Sequence, residues 1–562
     1  MTDEFVSRSD LPGRPSSPWT DRTDAERRSP LETDLAVDVA VVGAGIVGLS
    51  VATHLRERGR TVAVCERRRV GAGTTGRSTA KLTSQHGLVY DHLRRRFGRR
   101  AAKTYARVNE DAIDEVERRI EGREPDCGFE RQPSYLYGDD VDAIEREADA
   151  ARVAGIDASL VRSTPPFERA SMAVRFDDQA WFDPGAYLQA LADDLEADEG
   201  ARLYERTRVT GVDTGSLIDF RTRSDRKGRS EREDGTASQE RRSDNQNGDM
   251  NQERQSSSQA GSARHRDEYP CRVFTPGGTI LSDYVVLATG FPIRDRMGYF
   301  TRLYPKRSYV LALRLDGNYP EGMYYRTGDP YRSVRTHRDE RGDLLLIGGE
   351  NHKTGQGGST AERYRTLERW ARDRFPVDSV EYRWSAQDYT SADQVPLVGR
   401  AEPGSPLYLA TGFGGWGMTG GVAASRLLAE AIVGEEPSEL DLFDPLRFTP
   451  TASLESALTE NADAAGQFAT DWLRTLLSPD LGSIGRGEGR VIRDGAKPIA
   501  TARDDEGDLH TVSAVCTHTY CVVDWNDAEC TWDCPCHGSR FAPDGTLLEG
   551  PATEDLPSID GE

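Results

Sequence analysis

The stretch from Val37 to Glu66 sets the first limit on what this chain can fold into. An apolar run, Val37–Val42, leads into Gly43-x-Gly45-x-x-Gly48, which opens a helical segment; a second apolar run then ends on Glu66, 23 residues after Gly43. This order reads as strand, glycine turn, helix and parallel strand. Gly43 permits the tight turn, Gly45 lets backbone approach a pyrophosphate, and Gly48 lets helix and strand pack closely. The helix N-terminus faces the phosphates, and Glu66 can accept hydrogen bonds from ribose hydroxyls. The glycine spacing alone is weak evidence, because Gly71-x-Gly73-x-x-Gly76 and Gly412-x-Gly414-x-x-Gly417 share it. Neither is followed by a strand ending in an acidic residue about 20 positions on. The βαβ context makes the first copy a dinucleotide site.

One complete fingerprint, where a nicotinamide-fed flavoprotein reductase usually carries two, favours a flavin. Two further segments agree. Tyr284-Val-Val-Leu-Ala-Thr-Gly290 is a strand ending in small residues that bring backbone close to a cofactor. Leu407-Tyr-Leu-Ala-Thr-Gly-Phe-Gly-Gly-Trp-Gly-Met-Thr419 is a strand and glycine loop before another helix, whose N-terminus suits a developing negative charge.

Together with the Gly73-Thr-Thr-Gly-Arg-Ser-Thr-Ala80 loop and Asp393-Gln-Val-Pro-Leu-Val-Gly399, these segments resemble the D-amino-acid oxidase superfamily, nearest its glycine-oxidase and sarcosine-oxidase branch. The resemblance covers about residues 35–435. It implies an α/β FAD-binding Rossmann-like domain with an associated α+β substrate domain, and oxidation of a C–N bond by hydride transfer to flavin. The cysteine that carries covalent flavin in some relatives has no evident counterpart, so FAD is expected to be dissociable. The residues implied for it are Gly43, Ala44, Gly45, Ile46, Gly48, Glu66, Arg67, Thr74, Thr75, Ser78, Thr79, Val209, Gly290, Gly412, Gly414, Gly415, Gly417 and Met418. Lys81 and His86, just beyond the flavin loop, are the catalytic candidates, Lys81 by charge contact at the flavin and His86 as acid/base. For each, a structural salt bridge or hydrogen bond is the competing reading. Arg307, Tyr309 and Trp384 are weaker candidates for carboxylate binding or pocket lining, since any one of 66 arginines is uninformative.

Five of the eight cysteines crowd near the C-terminus, in Cys516-Thr-His518-Thr-Tyr-Cys521, Cys530 and Cys534-Pro-Cys536-His537. Each of two loops supplies one Cys and one His. A zinc finger groups like with like; mixed pairs suit a [2Fe-2S] centre with two thiolates on one iron and two imidazoles on the other. Residues 481–557 resemble the Rieske domain family, which implies a small all-β domain with Cys516, His518, Cys534 and His537 as ligands. The resemblance also implies a disulfide between Cys521 and Cys536, and a covering loop at Gly550-Pro551. Cys530 matches no motif position. Ser539 stands where high-potential members donate a hydroxyl to a bridging sulfide, and Phe541 where they carry a tyrosine hydroxyl. One donor fewer leaves the reduced cluster less stabilised, so a midpoint below that of the respiratory proteins is expected.

The expected division is a polar N-terminal arm (1–34), the flavin unit (35–445), a helical linker (446–480) and the Rieske domain (481–562). A long charged helical stretch is expected at 88–122, and 453–477 has helical spacing. Residues 221–268, almost without apolar side chains, read as a disordered surface insertion, more simply a tolerated hairpin extension than a recruitment site. No apolar run reaches the roughly 20 residues of a membrane span, and the N-terminus lacks the apolar core of a signal peptide. A cytoplasmic location is expected.

The net charge of −22 argues against nucleic acid or anionic membranes as partners. Together with only six lysines it suggests adaptation to high salt, although an Arg-favouring genome accounts for part of that bias. Residues 481–562 hold 16 acidic and 6 basic residues, an expected acidic docking face for a complementary acceptor. The leading reading is an oxidoreductase that takes a hydride from an amine or amino-acid-like substrate onto FAD and relays electrons singly through the cluster to an external acceptor. The alternative is a redox-sensing or electron-carrying flavo-iron-sulfur protein without its own organic substrate. Oxygenation at a mononuclear iron would need two His and a carboxylate, and the other histidines form no compact ligand pair in sequence.

Overall fold

A computed structural model describes residues 11–21, 28–123, 126–162, 165–215, 264–447, 484–494 and 497–559. Its first layer is the predicted βαβ unit enlarged to an eight-stranded sheet. Leu35–Val42 lies at the centre, parallel to Val62–Cys65 on one side and to Gly278–Leu287 on the other; Ala201–Tyr204 and Leu407–Thr411 extend it in parallel. Val39, Val41, Val62, Val285 and Val286 are fully buried, as expected of parallel strands covered on both faces. The helices Ile46–Glu57 and Gly417–Val433 pack together over one face. Glycine is required at the crossing: a Cβ on Gly43, at φ +106°, would lie 2.5 Å from the Ala288 carbonyl oxygen, and one on Gly48 would lie 1.8 Å from that of Gly43. The parallel strands therefore bring the residues after Val42, Cys65, Leu287 and Thr411 to one end of the sheet.

The second layer is a nine-stranded, mostly antiparallel sheet. Its long strands Leu303–Leu315, Gly342–Lys353 and Val377–Ser391 pair side by side, and Lys81–Leu82 closes the far edge against Met172–Trp181. The C-terminal unit is all β: three strands within residues 489–513 and four short ones within 524–549. No helix among the described residues is long and apolar enough to cross a membrane.

Two expectations change. The stretch 88–122 forms two helices, Val89–Arg96 and Gly98–Ile120, divided at Phe97. The described parts of the arm, residues 11–21 and 28–34, are built into the body. Leu11, Trp19 and Leu31 are buried, Arg14 bonds backbone to backbone with Glu381 and Arg383, and Trp19 Nε1 donates to the Ser78 carbonyl oxygen. Isolated apolar anchors in a Pro/Ser-rich stretch produce no periodicity, so composition alone reads as an arm. The insertion lies outside the described residues except for 264–268; its flanking strands, Gly211–Asp213 and Cys271–Thr275, pair antiparallel. The helical reading of 453–477 lies wholly outside them.

Candidate functional site

The flavin residues converge at the C-terminal end of the parallel strands. Glu66 accepts from the Ala44 N–H at 3.0 Å and the Arg68 N–H at 2.9 Å, and Thr75 Oγ1 accepts from Ile46 N–H at 3.1 Å. A Cβ on Gly45 would intrude on Thr75 Oγ1 at 3.0 Å, so the helix N-terminus is kept bare as a phosphate cradle requires. Thr74 bonds the Gln387 carbonyl, and Ser78 Oγ accepts from Ala80 N–H. Thr411 donates to the Gly290 carbonyl, which ties the two small-residue strand ends together, and Gly417 and Met418 begin the following helix. Gly414 N–H donates to the Tyr389 carbonyl at 2.8 Å and Gly415 N–H to Asp388 at 2.5 Å. Burial pushes Asp388 up to about 6. Arg67 directly follows Glu66, and Val209, like Tyr204 and Val212, is half-buried against the core that includes Val37, Val42 and Cys271. The bare helix N-terminus, the carboxylate and the glycine loop fit a flavin dinucleotide.

Lys81 and His86 part company in this structure. Lys81 is buried, its Nζ held by Ser333 Oγ and, at 3.5 Å, by Thr79 Oγ1, with the Tyr325 ring at 5.9 Å. Burial first, and then Arg335, lower its pKa well below the ordinary lysine value. His86 has both ring nitrogens engaged. Nε2 meets the Thr83 carbonyl at 2.6 Å, which can only accept, so Nδ1 accepts from the Tyr105 hydroxyl at 2.6 Å. Burial pushes its pKa down to about 3, and the neutral ring stacks on Trp416 at 4.9 Å in the flavin loop. Nε2–H donates to Thr83 and Nδ1 accepts from Tyr105, so both nitrogens are engaged within the protein, as in the structural alternative for this residue.

The other three candidates are also engaged. Tyr309 bonds His352 at 2.9 Å, and Trp384 Nε1 donates to the Arg77 carbonyl. Arg307 pairs with Glu529 of the C-terminal unit at 3.0 Å, so it binds a protein carboxylate. Sequence reasoning missed Tyr325, Ser333, Arg335 and Trp416. Ser333 and Arg335 are alternate positions on one strand, a pattern without a motif, and Trp416 was read only as part of its loop.

In the C-terminal unit, Cys516 and Cys534 lie within hydrogen-bonding reach of each other. The His518 and His537 rings are 5.0 Å apart, and His518 Nδ1 is buried without a hydrogen-bond partner. Two thiols and two imidazoles converging, one imidazole nitrogen orphaned, is the donor set a Rieske cluster requires. Cys521 and Cys536 form a disulfide, with Cys534 Sγ within 4.8 Å of both sulfurs. Ser539 hydrogen-bonds Cys516 and accepts from Ala552 N–H. Phe541 is fully buried in the small core with Trp532. A Phe541→Tyr variant is expected to raise the cluster midpoint in a redox titration; an unchanged or lowered midpoint would refute the missing-donor argument.

The two units are docked tightly, through several carboxylates of the C-terminal unit. Arg307 and Arg540 both bind Glu529; Arg540 also binds Asp533 at 3.0 Å and Glu549 at 3.4 Å, and Arg77 of the flavin loop reaches Glu549 at 3.6 Å. Asp527 accepts from Ser359 and Thr360 at the start of the helix Thr360–Arg372, and Asp555 pairs with Arg208. Five of the sixteen acidic residues of this unit, Asp527, Glu529, Asp533, Glu549 and Asp555, thus face its own flavin unit. Burial opposes ionisation of Glu529, yet Arg540 and Arg307 hold it down to about 2. Glycine permits the approach: a Cβ on Gly538 would meet Pro305 at 2.6 Å, and one on Gly355 would meet Pro535 at 2.7 Å. His518 and His537 face Phe291, the residue after Gly290, and Phe300, with ring centroids 5.4–6.2 Å apart.

Comparison with known proteins agrees with both halves. Residues 38–234 and 259–431 match the FAD dependent oxidoreductase family, and residues 472–560 match the Rieske [2Fe-2S] domain. The chain is 32% identical over 553 residues to the Rieske 2Fe-2S iron-sulfur protein YhfW of Bacillus subtilis (strain 168), covering 97% of this chain and 98% of that one. A shorter match, 40% over 84 residues, links 15% of this chain to 38% of the chloroplastic cytochrome b6-f complex iron-sulfur subunit of Chlamydomonas reinhardtii. In fold, the chain is similar to glycine oxidase from Geobacillus kaustophilus, with TM-score 0.53 and 18% identity over 74% of this chain and 99% of that one. It is also similar to L-proline dehydrogenase from P.horikoshii, with TM-score 0.54 and 18% identity over 75% and 98%.

Proposed function

We propose that this chain, which belongs to the FAD dependent oxidoreductase family and carries a C-terminal Rieske [2Fe-2S] domain, oxidises the C–N bond of an amine or amino-acid-like substrate and passes the electrons singly to an external acceptor. FAD held by the Gly43–Gly48 turn, Glu66 and the Gly412–Met418 loop would supply a hydride acceptor, and a [2Fe-2S] cluster held by Cys516, His518, Cys534 and His537 would supply one-electron transfer. The observation that carries this reading is the docking of the cluster's two histidines on Phe291 and Phe300, beside the Gly290 end of the flavin site. A domain held there is placed to take electrons from its own chain. The amino-acid names of the structural neighbours support the substrate class.

The residues around Lys81 supply the proton chemistry. An amine must be neutral before its Cα–H can leave as hydride, and Lys81 Nζ, its pKa lowered by burial, is the acceptor for the ammonium proton in this reading. Ser333 and Thr79 fix its direction, and the buried Arg335 discourages its protonation. His86 holds Trp416, and Trp416 and Tyr325 meet edge to face at 5.3 Å, which gives the site an aromatic wall. In this reading the protein works in the cytoplasm with a one-electron carrier as its partner.

The test is an anaerobic screen of amines and amino acids followed by visible absorbance. Flavin bleaching followed by cluster reduction is expected. Bleaching with the cluster left oxidised would refute the relay. No bleaching by any amine would favour the carrier without an organic substrate.

A further inference from the structure

We infer that Gln387-Asp388-Tyr389, and Tyr389 above all, is the electronic bridge between the flavin site and the cluster, so that the histidine side of the cluster is its electron inlet. This rests on the relay proposed above and assigns it a route. The three residues lie near the end of the strand Val377–Ser391, where side chains alternate between two faces. Gln387 and Tyr389 reach the cluster loops. Gln387 Nε2 donates to the Gly538 carbonyl at 2.8 Å and to the Tyr389 hydroxyl at 3.1 Å. The Tyr389 hydroxyl donates to the Gly550 carbonyl at 3.0 Å, with the carbonyl of the ligand His537 at 3.4 Å. The main chain and Asp388 reach the flavin loops: Gln387 O accepts from Thr74, Tyr389 O from Gly414 N–H, and Asp388 from Gly415 N–H.

One short segment therefore links the loops assigned to both centres through hydrogen bonds and covalent bonds only. From the main chain of His537, the route runs through the Tyr389 hydroxyl, ring and carbonyl to the Gly414 amide. Electronic coupling decays less steeply along bonds than across van der Waals gaps, and the rival contacts at Phe291 and Phe300 are ring packing alone. Packing does not require the hydroxyl. Tyr389 is buried against Phe291, with ring centroids 5.2 Å apart, where phenylalanine would fill the same space; the polar group is instead fully matched. Electrons balance as two successive single transfers for each C–N bond oxidised. They leave to two equivalents of a one-electron acceptor protein, for which ferricyanide is the laboratory stand-in.

The test uses the full-length holoprotein, with the flavin reduced by anaerobic pulsed illumination in EDTA, so that no substrate need be known. Cluster reduction is followed by absorbance, and cluster integrity by EPR and a redox titration. Tyr389→Phe is expected to slow cluster reduction several-fold while the EPR spectrum and midpoint stay as in wild type. An unchanged rate in this variant would overturn the bridge, as would an equal slowing in Phe300→Leu, which removes the rival contact. Should Tyr389→Phe lose its cluster, Gln387→Met decides in the same way: slower transfer at an intact spectrum supports the bridge, and an unchanged rate overturns it. A wild-type cluster that stays oxidised after the flavin is bleached would instead refute the relay itself.

Discussion

Replacing Lys81 by methionine is expected to slow substrate-driven flavin reduction by about 10²–10⁴-fold, the contribution of a positioned general base, while making the substrate-free protein more stable. Both effects follow from the same burial. Lys81 sits among Ser333, Thr79 and the Tyr325 ring, and the one charge acting strongly on it among the described residues is that of Arg335. Its folded pKa is lowered, so folding removes a proton that the unfolded chain carries below about 10.4. The cost is absent above that value, grows as pH falls through it, and is complete below the lowered folded value. Methionine has no proton to lose, so the gap in melting temperature between variant and wild type should widen from alkaline to neutral pH. The kinetic sign is the reverse. Wild-type flavin reduction should rise with pH through the lowered lysine value, and the variant should lack that limb. Rapid-mixing absorbance across pH, with calorimetry on the same samples, checks both. A variant as fast as wild type, or one less stable at neutral pH, would remove Lys81 from the role of base.

The parts that were legible in the sequence are those where chemistry fixes spacing. Gly43, Gly45, Gly48 and Glu66 are set by one turn and one carboxylate, and all four residues assigned to the cluster lie in two short loops; the structure brings each set together. Local spacing says nothing of contacts between distant segments. Arg307 and Glu529 are 222 positions apart, and an arginine against a protein carboxylate cannot be told by sequence from one that awaits a substrate. His86 illustrates the same limit: its motif position suggested chemistry, but Tyr105 and Thr83 close both nitrogens. Acidity in the C-terminal unit was legible as a quantity. The pairing of Glu529, Glu549 and Asp555 with Arg307, Arg77 and Arg208 required the docked arrangement.

That docked arrangement carries the second large effect. Arg307→Met is expected to cost about 3–5 kcal/mol, as for removal of one partner from a buried ion pair, and to loosen the Rieske domain from the flavin unit. Arg307 has almost no exposed surface; its guanidinium lies 3.0 Å from Glu529, 3.8 Å from Glu549 and 4.0 Å from Asp533. Without it, Glu529 keeps Arg540 in its own unit and the Ser385 hydroxyl of the flavin unit, so the cluster domain retains its internal pairs while the buried charge pairing between the units is lost. Denaturant unfolding followed at the cluster absorbance should shift to lower denaturant, and solution scattering should show a larger radius. Arg307→Lys should recover only part of the loss, because an ammonium cannot present the planar fork. Acid should act on wild type through the same link. Glu529 is held down to about 2 from an ordinary value near 4.5, so its stabilisation is complete above the ordinary value and is lost as pH falls through the lowered one. In Arg307→Met the hold on Glu529 is weaker, and the acid loss should begin at higher pH. Superimposable acid profiles and equal scattering radii for the two proteins would show that the docking does not depend on this pair.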